Sequence, residues 1–310
     1  MITRTLWWRA TRDAIREVDG KDLSLIAAGC AFFGLVGIFP AIAALIAIFG
    51  LVADPVVVRN ELELLQGVIP PDAYELFEAQ IESLLAARTD QLGWASALSI
   101  MVALWSARGA VASMMSGLNA IHGTSPRGGL RSVLVALAVT VSLIGVAVCT
   151  MLIVLVMPVL LAFLPLGPVT AWALEGLRWL AAMFILLAGL GILYRFGPNA
   201  RGDRPGWISP GAVIVVICWL VASIGFTIYV SNFGRYNEVY GSLGAVIALL
   251  MWLYISALLV LAGAALNAAI RRLRRAEKAE KLHRERLTRD AEADRQAADA
   301  VAQGGATAGS

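Results

Sequence analysis

Charge is the scarcest property of this sequence. Asp, Glu, Lys and Arg make up 15% of its 310 residues, where a soluble domain carries about 25%. That excludes ordinary packing in water for most of the chain. Histidine occurs twice, at His122 and His283, and cysteine three times, at Cys30, Cys149 and Cys218. No HExxH, CxxC, Walker or GxSxG pattern is present. Metal-assisted hydrolysis, phosphate cradling and serine-nucleophile chemistry therefore lack the residues they need, and no cofactor is expected. The cysteines have no paired spacing and lie in apolar segments, which predicts inert buried thiols.

What is present is apolar. Hydrophobic residues reach 59% and the mean hydropathy is +0.76. Several uncharged runs exceed the roughly 20 residues that cross a bilayer. The first, 27–52, is too long for a signal-peptide core and is expected to be retained. Six spans are expected, at about 27–52, 93–118, 133–163, 174–196, 211–230 and 243–270. Between Arg131 and Glu175 there is no charge at all, a run too long for one helix, and the turn-like LPLGP at 164–168 divides it. The fold class is an all-α integral membrane protein, a six-helix bundle. Basic residues crowd the stretches before the first span, between the second and third, between the fourth and fifth, and after the last. Both termini are accordingly expected in the cytoplasm of an inner membrane.

The remaining segments divide the chain into residues 1–26, a membrane domain over 27–270, and a tail over 271–310. The first outer connection, 54–91, is acidic, with apolar residues at helical spacing on either side of Pro70-Pro71. It reads as an amphipathic helical pair, either a cap on the bundle or a lid over a cavity. Residues 3–18 read as a basic amphipathic helix in the inner interface, with Trp7 and Trp8 at headgroup level. The tail is expected to continue as a solvated helix and to fade into the disordered AQGGATAGS.

One span carries an arginine. Arg108 sits in ALWSARGAVASMM, where a central Arg costs about 2.5–3.5 kcal/mol on insertion scales. Two compensations are open. It could bond carbonyls freed near Pro40 and polar side chains such as Ser106 and Asn267. It could instead line a hydrated cavity and bind an anionic group such as a lipid phosphate. Pro40 removes a helix hydrogen bond within the first span, as in a packed kink or a broken helix around a site. Gly34 and Gly37 allow close helix approach. Asn119 and Asn267 close the inner ends of the second and sixth spans, as caps or as hydrogen bonds across helices. Tyr236 and Tyr240 suit the outer interface, and Gly241 with Gly244 a tight entry to the last helix.

Three segments carry a resemblance: DLSLIAAGCAFFGLVGIFPAIAALIAIFGL at 22–51, ALWSARGAVASMMSGLNAIHG at 103–123, and YNEVYGSLGAVIALLMWLYISALLVLAGAALNA at 236–268. The chain resembles the YihY/BrkB family of bacterial inner-membrane proteins over residues 20–270. The resemblance implies a multi-pass protein linked by name to serum resistance and virulence, with a role in envelope lipid handling. The family's older label, ribonuclease BN, is generally regarded as a misassignment. Two positions depart from the family pattern. Ala265 stands where GAELN would place a glutamate, and Gly37 where a serine often precedes the Phe-Pro pair. The expected function is non-enzymatic: moving or presenting an amphiphilic envelope molecule, with membrane lipids as partners and a lipid or anionic amphiphile as ligand. A structural protein recruiting envelope partners, or forming a homo-oligomer, is the alternative. A ribonuclease is remote, and no nucleic acid is expected to bind.

Overall fold

The computed structural model describes residues 4–52, 89–156, 168–200, 205–231 and 242–307. They form α1 (Arg4–Gly20), α2 (Leu23–Val52), α3 (Thr89–His122), α4 (Gly129–Met151), α5 (Pro168–Phe196), α6 (Pro210–Ser231) and α7 (Ser242–Thr307). A single π-helical stretch, Leu152–Val156, prolongs α4, and no strand occurs among the described residues. Gly129–Val154, Trp172–Phe196, Pro210–Val230 and the apolar part of α7 are each long and apolar enough to cross a membrane. A fifth crossing results if α1 and α2, bent by 67° at their junction, count as one span. The chain is a helical membrane protein. The expected outer helical pair lies almost wholly outside the described residues, as do Tyr236, Tyr240 and Gly241.

The helix boundaries follow local chemistry. Between α1 and α2 the chain turns at Asp22, which adopts φ 51°, a left-handed conformation that Asp tolerates better than most residues. The end of α3 is a Schellman motif. Gly123 takes φ 62°, its N–H donates to the Ala120 carbonyl at 3.2 Å, and the Thr124 N–H donates to the Asn119 carbonyl at 3.0 Å. Within the uncharged run between Arg131 and Glu175 the described residues form α4 and the start of α5, which begins on Pro168, where a missing N–H costs nothing. Ser209 caps α6, its Oγ accepting from the Ala212 N–H at 3.3 Å, with Pro210 in the first turn.

α7 runs to Thr307. Two expectations need correction. Trp7 packs against the core while Trp8 is 72% exposed. Neighbouring residues on a 3.6-residue turn point about 100° apart, so one helix face cannot present both. Of the thiols only Cys30 is buried; Cys149 and Cys218 are exposed, since a small apolar side chain can face lipid as readily as a protein core.

Burial among the described residues concentrates at one end of the bundle. There the middle of α7 (Ala257, Leu261, Ala264, Ala265 and Leu266) meets Leu23 and Ala27 of α2, Leu118 and Ile121 of α3, Leu193 and Tyr194 of α5, and Ala212 of α6. α1 lies across this end through Leu6, Ala10 and Ala14. The closest crossing is between α6 and α7. A Cβ on Gly211 would stand 2.2 Å from the Gly263 carbonyl oxygen, and one on Gly263 would stand 2.1 Å from Val215 Cγ2. Tyr194 OH donates to the Val260 carbonyl at 2.7 Å and ties α5 to the same turn.

Candidate functional site

The packed end of the bundle is also its charged end. Lys21 Nζ donates to the Ile121 carbonyl at 3.0 Å and pairs with Glu17 at 3.2 Å. Glu17 also pairs with Arg272, joining α1 to α7. Arg271 approaches His122 Nε2 at 2.8 Å, while His122 Nδ1 lies 2.8 Å from the Leu118 carbonyl. A guanidinium only donates and a carbonyl only accepts, so Nδ1 carries the ring proton and Nε2 accepts. Arg127 spans three carbonyls at the end of α5, those of Phe196 (3.0 Å), Gly197 (2.7 Å) and Pro198 (2.7 Å). Last-turn carbonyls without helix partners are thereby satisfied.

The two asparagines belong to this framework. Asn119 Oδ1 accepts from the Asn199 N–H at 2.7 Å and from Thr124 Oγ1 at 3.1 Å, locking the α3–α4 turn to the segment after α5. Asn267 is a cap, but for a neighbouring helix. Its Oδ1 accepts from the Gly211 N–H at 2.8 Å, and its Nδ2 donates to Ser209 Oγ at 2.8 Å. It thus satisfies a first-turn donor of α6 from the side of α7. Neither asparagine lines a cavity with Arg108. Asn119 is eleven residues away on α3, about 16 Å at 1.5 Å per residue.

Arg108 lies near the middle of α3, in a groove of about 410 Å³ between α2 and α3. Phe32, Phe33, Val36, Trp105, Ser106, Arg108, Gly109, Ala112, Ser113 and Ser116 line it. Phe32, Phe33, Val36 and Trp105 are all exposed, so this is an open groove on the flank of the bundle rather than a sealed interior cavity. The guanidinium stacks on Trp105 at 4.2 Å from the ring centroid. Its Nε is buried and has no hydrogen-bond partner. Among the described residues, neither a freed carbonyl, nor Ser106, nor Asn267 bonds it. Glu175, near the far end of α5, is engaged locally, by Arg178 and by Trp179 Nε1 at 2.8 Å.

Gly37 and Gly109 bring α2 and α3 close beside this groove. Gly37 faces Ser106, whose Cβ would stand 3.3 Å from a Cβ at 37, and Gly109 faces Phe33 at 3.0 Å. Gly34 meets Leu253 of α7 at ordinary contact distance, 3.6 Å. Gly244 is buried near the start of α7. α2 runs through Pro40 as one helix. Pro40 lacks the N–H that would bond the Val36 carbonyl, and Val36 lines the groove. Sequence reasoning missed Trp105, Ser113 and Ser116. The signal was there: Ser106, Gly109, Ser113 and Ser116 fall at i, i+3, i+7 and i+10, one face of a helix.

A curated relative, the putative ribonuclease-like protein YfkH of Bacillus subtilis, is 27% identical over 84% of this chain and 92% of its own length. A UPF0761 membrane protein of Tolumonas auensis is 36% identical over 31% of each chain. Another from Xanthomonas campestris pv. campestris is 34% identical over 32% of this chain and 23% of its own length. The chain thus spans under a third of those two membrane proteins. No solved structure matches it. The family model described as Virulence factor BrkB matches residues 14–288, most of the chain, and the chain belongs to that family.

Proposed function

We propose that this chain is a non-enzymatic inner-membrane protein that transports, flips or presents an amphiphilic envelope molecule, a lipid, along the groove at Arg108. The observation that carries the reading is a permanent cation at mid-helix whose buried Nε finds no partner among the described residues, in a groove open along its apolar walls. A lipid phosphate supplies the missing acceptor, and the exposed aromatic walls suit its acyl chains. The serines continue from Ser106 to Ser116, ten residues or about 15 Å, toward the charged end. That is half of a hydrocarbon core about 30 Å thick, so a headgroup could be led from one surface to mid-membrane.

In this reading the bundle has six spans, with the charged end and both termini in the cytoplasm. The basic residues gathered at that end, Lys21, Arg127, Arg271 and Arg272, support that orientation. A carboxy-terminal reporter active only in the cytoplasm tests it. Nuclease chemistry, suggested by the name of the Bacillus relative, is not carried over. It needs clustered carboxylates with metal or paired His and Lys, and no His, Cys, Asp or Glu group able to hold a metal occurs among the described residues. A recruiting role, for an envelope protein or a second copy, is the second reading. The helical tail, exposed over residues 274–290, favours it, and deletion of residues 271–310 tests it.

The groove is tested with a phospholipid bearing a photoreactive diazirine on its acyl chain, in nanodiscs holding the full chain. Adducts are expected to concentrate on 32–36 and 105–116 and to fall several-fold in Arg108→Gln. Labelling spread evenly over the lipid-facing helices would sink the proposal.

A further inference from the structure

We propose that the groove selects lipids whose headgroup is anionic and free of amine, as in phosphatidylglycerol, over zwitterionic phosphatidylethanolamine. This rests on the lipid reading of the groove and adds which headgroup it takes. The polar lining consists of one guanidinium, Arg108, and three hydroxyls, Ser106, Ser113 and Ser116. Among the described residues no carboxylate lines it. On the described helices Glu175 is engaged by Arg178, and Glu17 by Lys21 and Arg272. Glu17 belongs to the charged end, marked on α3 by Ile121, thirteen residues or about 20 Å from Arg108.

The aromatic wall does not make up for the missing carboxylate. Trp is the best cation–π partner, and the Trp105 face is taken by Arg108 itself at 4.2 Å. Phe32 and Phe33, in edge contact at 5.6 Å, are weaker partners. An ethanolamine ammonium would enter with its phosphate on Arg108 and its own charge a few ångströms away. At an effective dielectric of about 20, that like-charge proximity lowers affinity by roughly tenfold or more. A glycerol headgroup meets no such penalty. Its hydroxyls find serines that can donate and accept. Ser116 donates to the Ala112 carbonyl at 3.1 Å and keeps its lone pairs.

The test is competition for the diazirine adduct in nanodiscs of phosphatidylcholine, with an equal fraction of the host lipid replaced by either phosphatidylglycerol or phosphatidylethanolamine. Phosphatidylglycerol is expected to suppress the groove adduct about tenfold more effectively. The preference should persist in Arg108→Lys and collapse to near unity in Arg108→Gln. Adducts on lipid-facing Leu134 and Val141 of α4 report non-specific enrichment and should show no preference. Equal suppression by the two lipids would overturn the selectivity and leave the lipid reading standing. Absence of any groove adduct overturns both. A preference that survives Arg108→Gln unchanged overturns the assignment to this arginine.

Discussion

Replacing Gly211 with alanine sets two opposing effects against each other. Intrinsic propensity favours Ala over Gly within a helix by about 1 kcal/mol. The crossing opposes it. The new methyl would lie 2.2 Å from the Gly263 carbonyl oxygen and 2.7 Å from both Cγ and Oδ1 of Asn267. Backbone cannot step aside as a flexible side chain can, so α6 and α7 must separate by about an ångström, an overpacking cost of roughly 1–3 kcal/mol. Displacing Asn267 also strands the Gly211 N–H, and a buried donor left unpaired costs about 1–3 kcal/mol. Collision and stranding together outweigh propensity. Gly211→Ala is expected to destabilise the protein by about 2–4 kcal/mol. Denaturant titration in mixed micelles, followed by tryptophan fluorescence, measures it; Trp219 donates to Ser256 across the same helix pair. A variant as stable as the parent, or more so, would refute the close approach of these two helices.

Gly263→Ala should also destabilise, but Val215→Ala in the same chain should recover part of the loss, because Val215 Cγ2 is its nearest obstacle at 2.1 Å; the same titration, run as a double-mutant cycle, reads this. Arg127→Ala releases three carbonyls at the end of α5. The site is half exposed and water replaces part of what is lost, so a destabilisation of about 1–2 kcal/mol is expected, with Arg127→Lys only partly restoring it.

How much of this was legible beforehand varies from element to element. Four of the expected spans, those beginning at about 133, 174, 211 and 243, were, because an apolar run long enough to cross lipid leaves little choice of structure. Arg108 stood out because its cost in lipid is independent of any partner. The purpose of Asn267 was not legible. Its spacing placed it at the end of an apolar run, but its partners, Ser209 and Gly211, are 58 and 56 residues away in the chain. Only the α6–α7 crossing brings them together. The engagement of Glu175 with Arg178 and Trp179, three and four residues along the same helix, was hidden for a different reason. Only a rotamer choice settles that pair, and a rotamer cannot be read from spacing. The serine face of α3 could have been found, since Ser106, Ser113 and Ser116 repeat at helical period.

The same arginine separates a structural role from a ligand-binding one by the sign of a stability change. Suppose Arg108 held the bundle together. Arg108→Leu would then remove charge-assisted hydrogen bonds worth about 1.5–3 kcal/mol each, and the protein would weaken. The structure gives it a different set of interactions: a ring at 4.2 Å and a buried Nε with no acceptor. A cation–π contact returns about 2 kcal/mol when desolvated, against about 2.5–3.5 kcal/mol for an arginine at mid-membrane. Without a bound anion the residue is therefore slightly unfavourable. Arg108→Leu in lipid-free detergent is expected to be neutral or to stabilise by about 1 kcal/mol. The parent, but not the variant, should gain stability when phosphatidylglycerol is added, as any ligand of the folded state confers. Loss of more than about 1 kcal/mol in lipid-free detergent, where full charge-assisted bonds would have been removed, would mean that Arg108 belongs to the framework and that the groove has no claim on a phosphate.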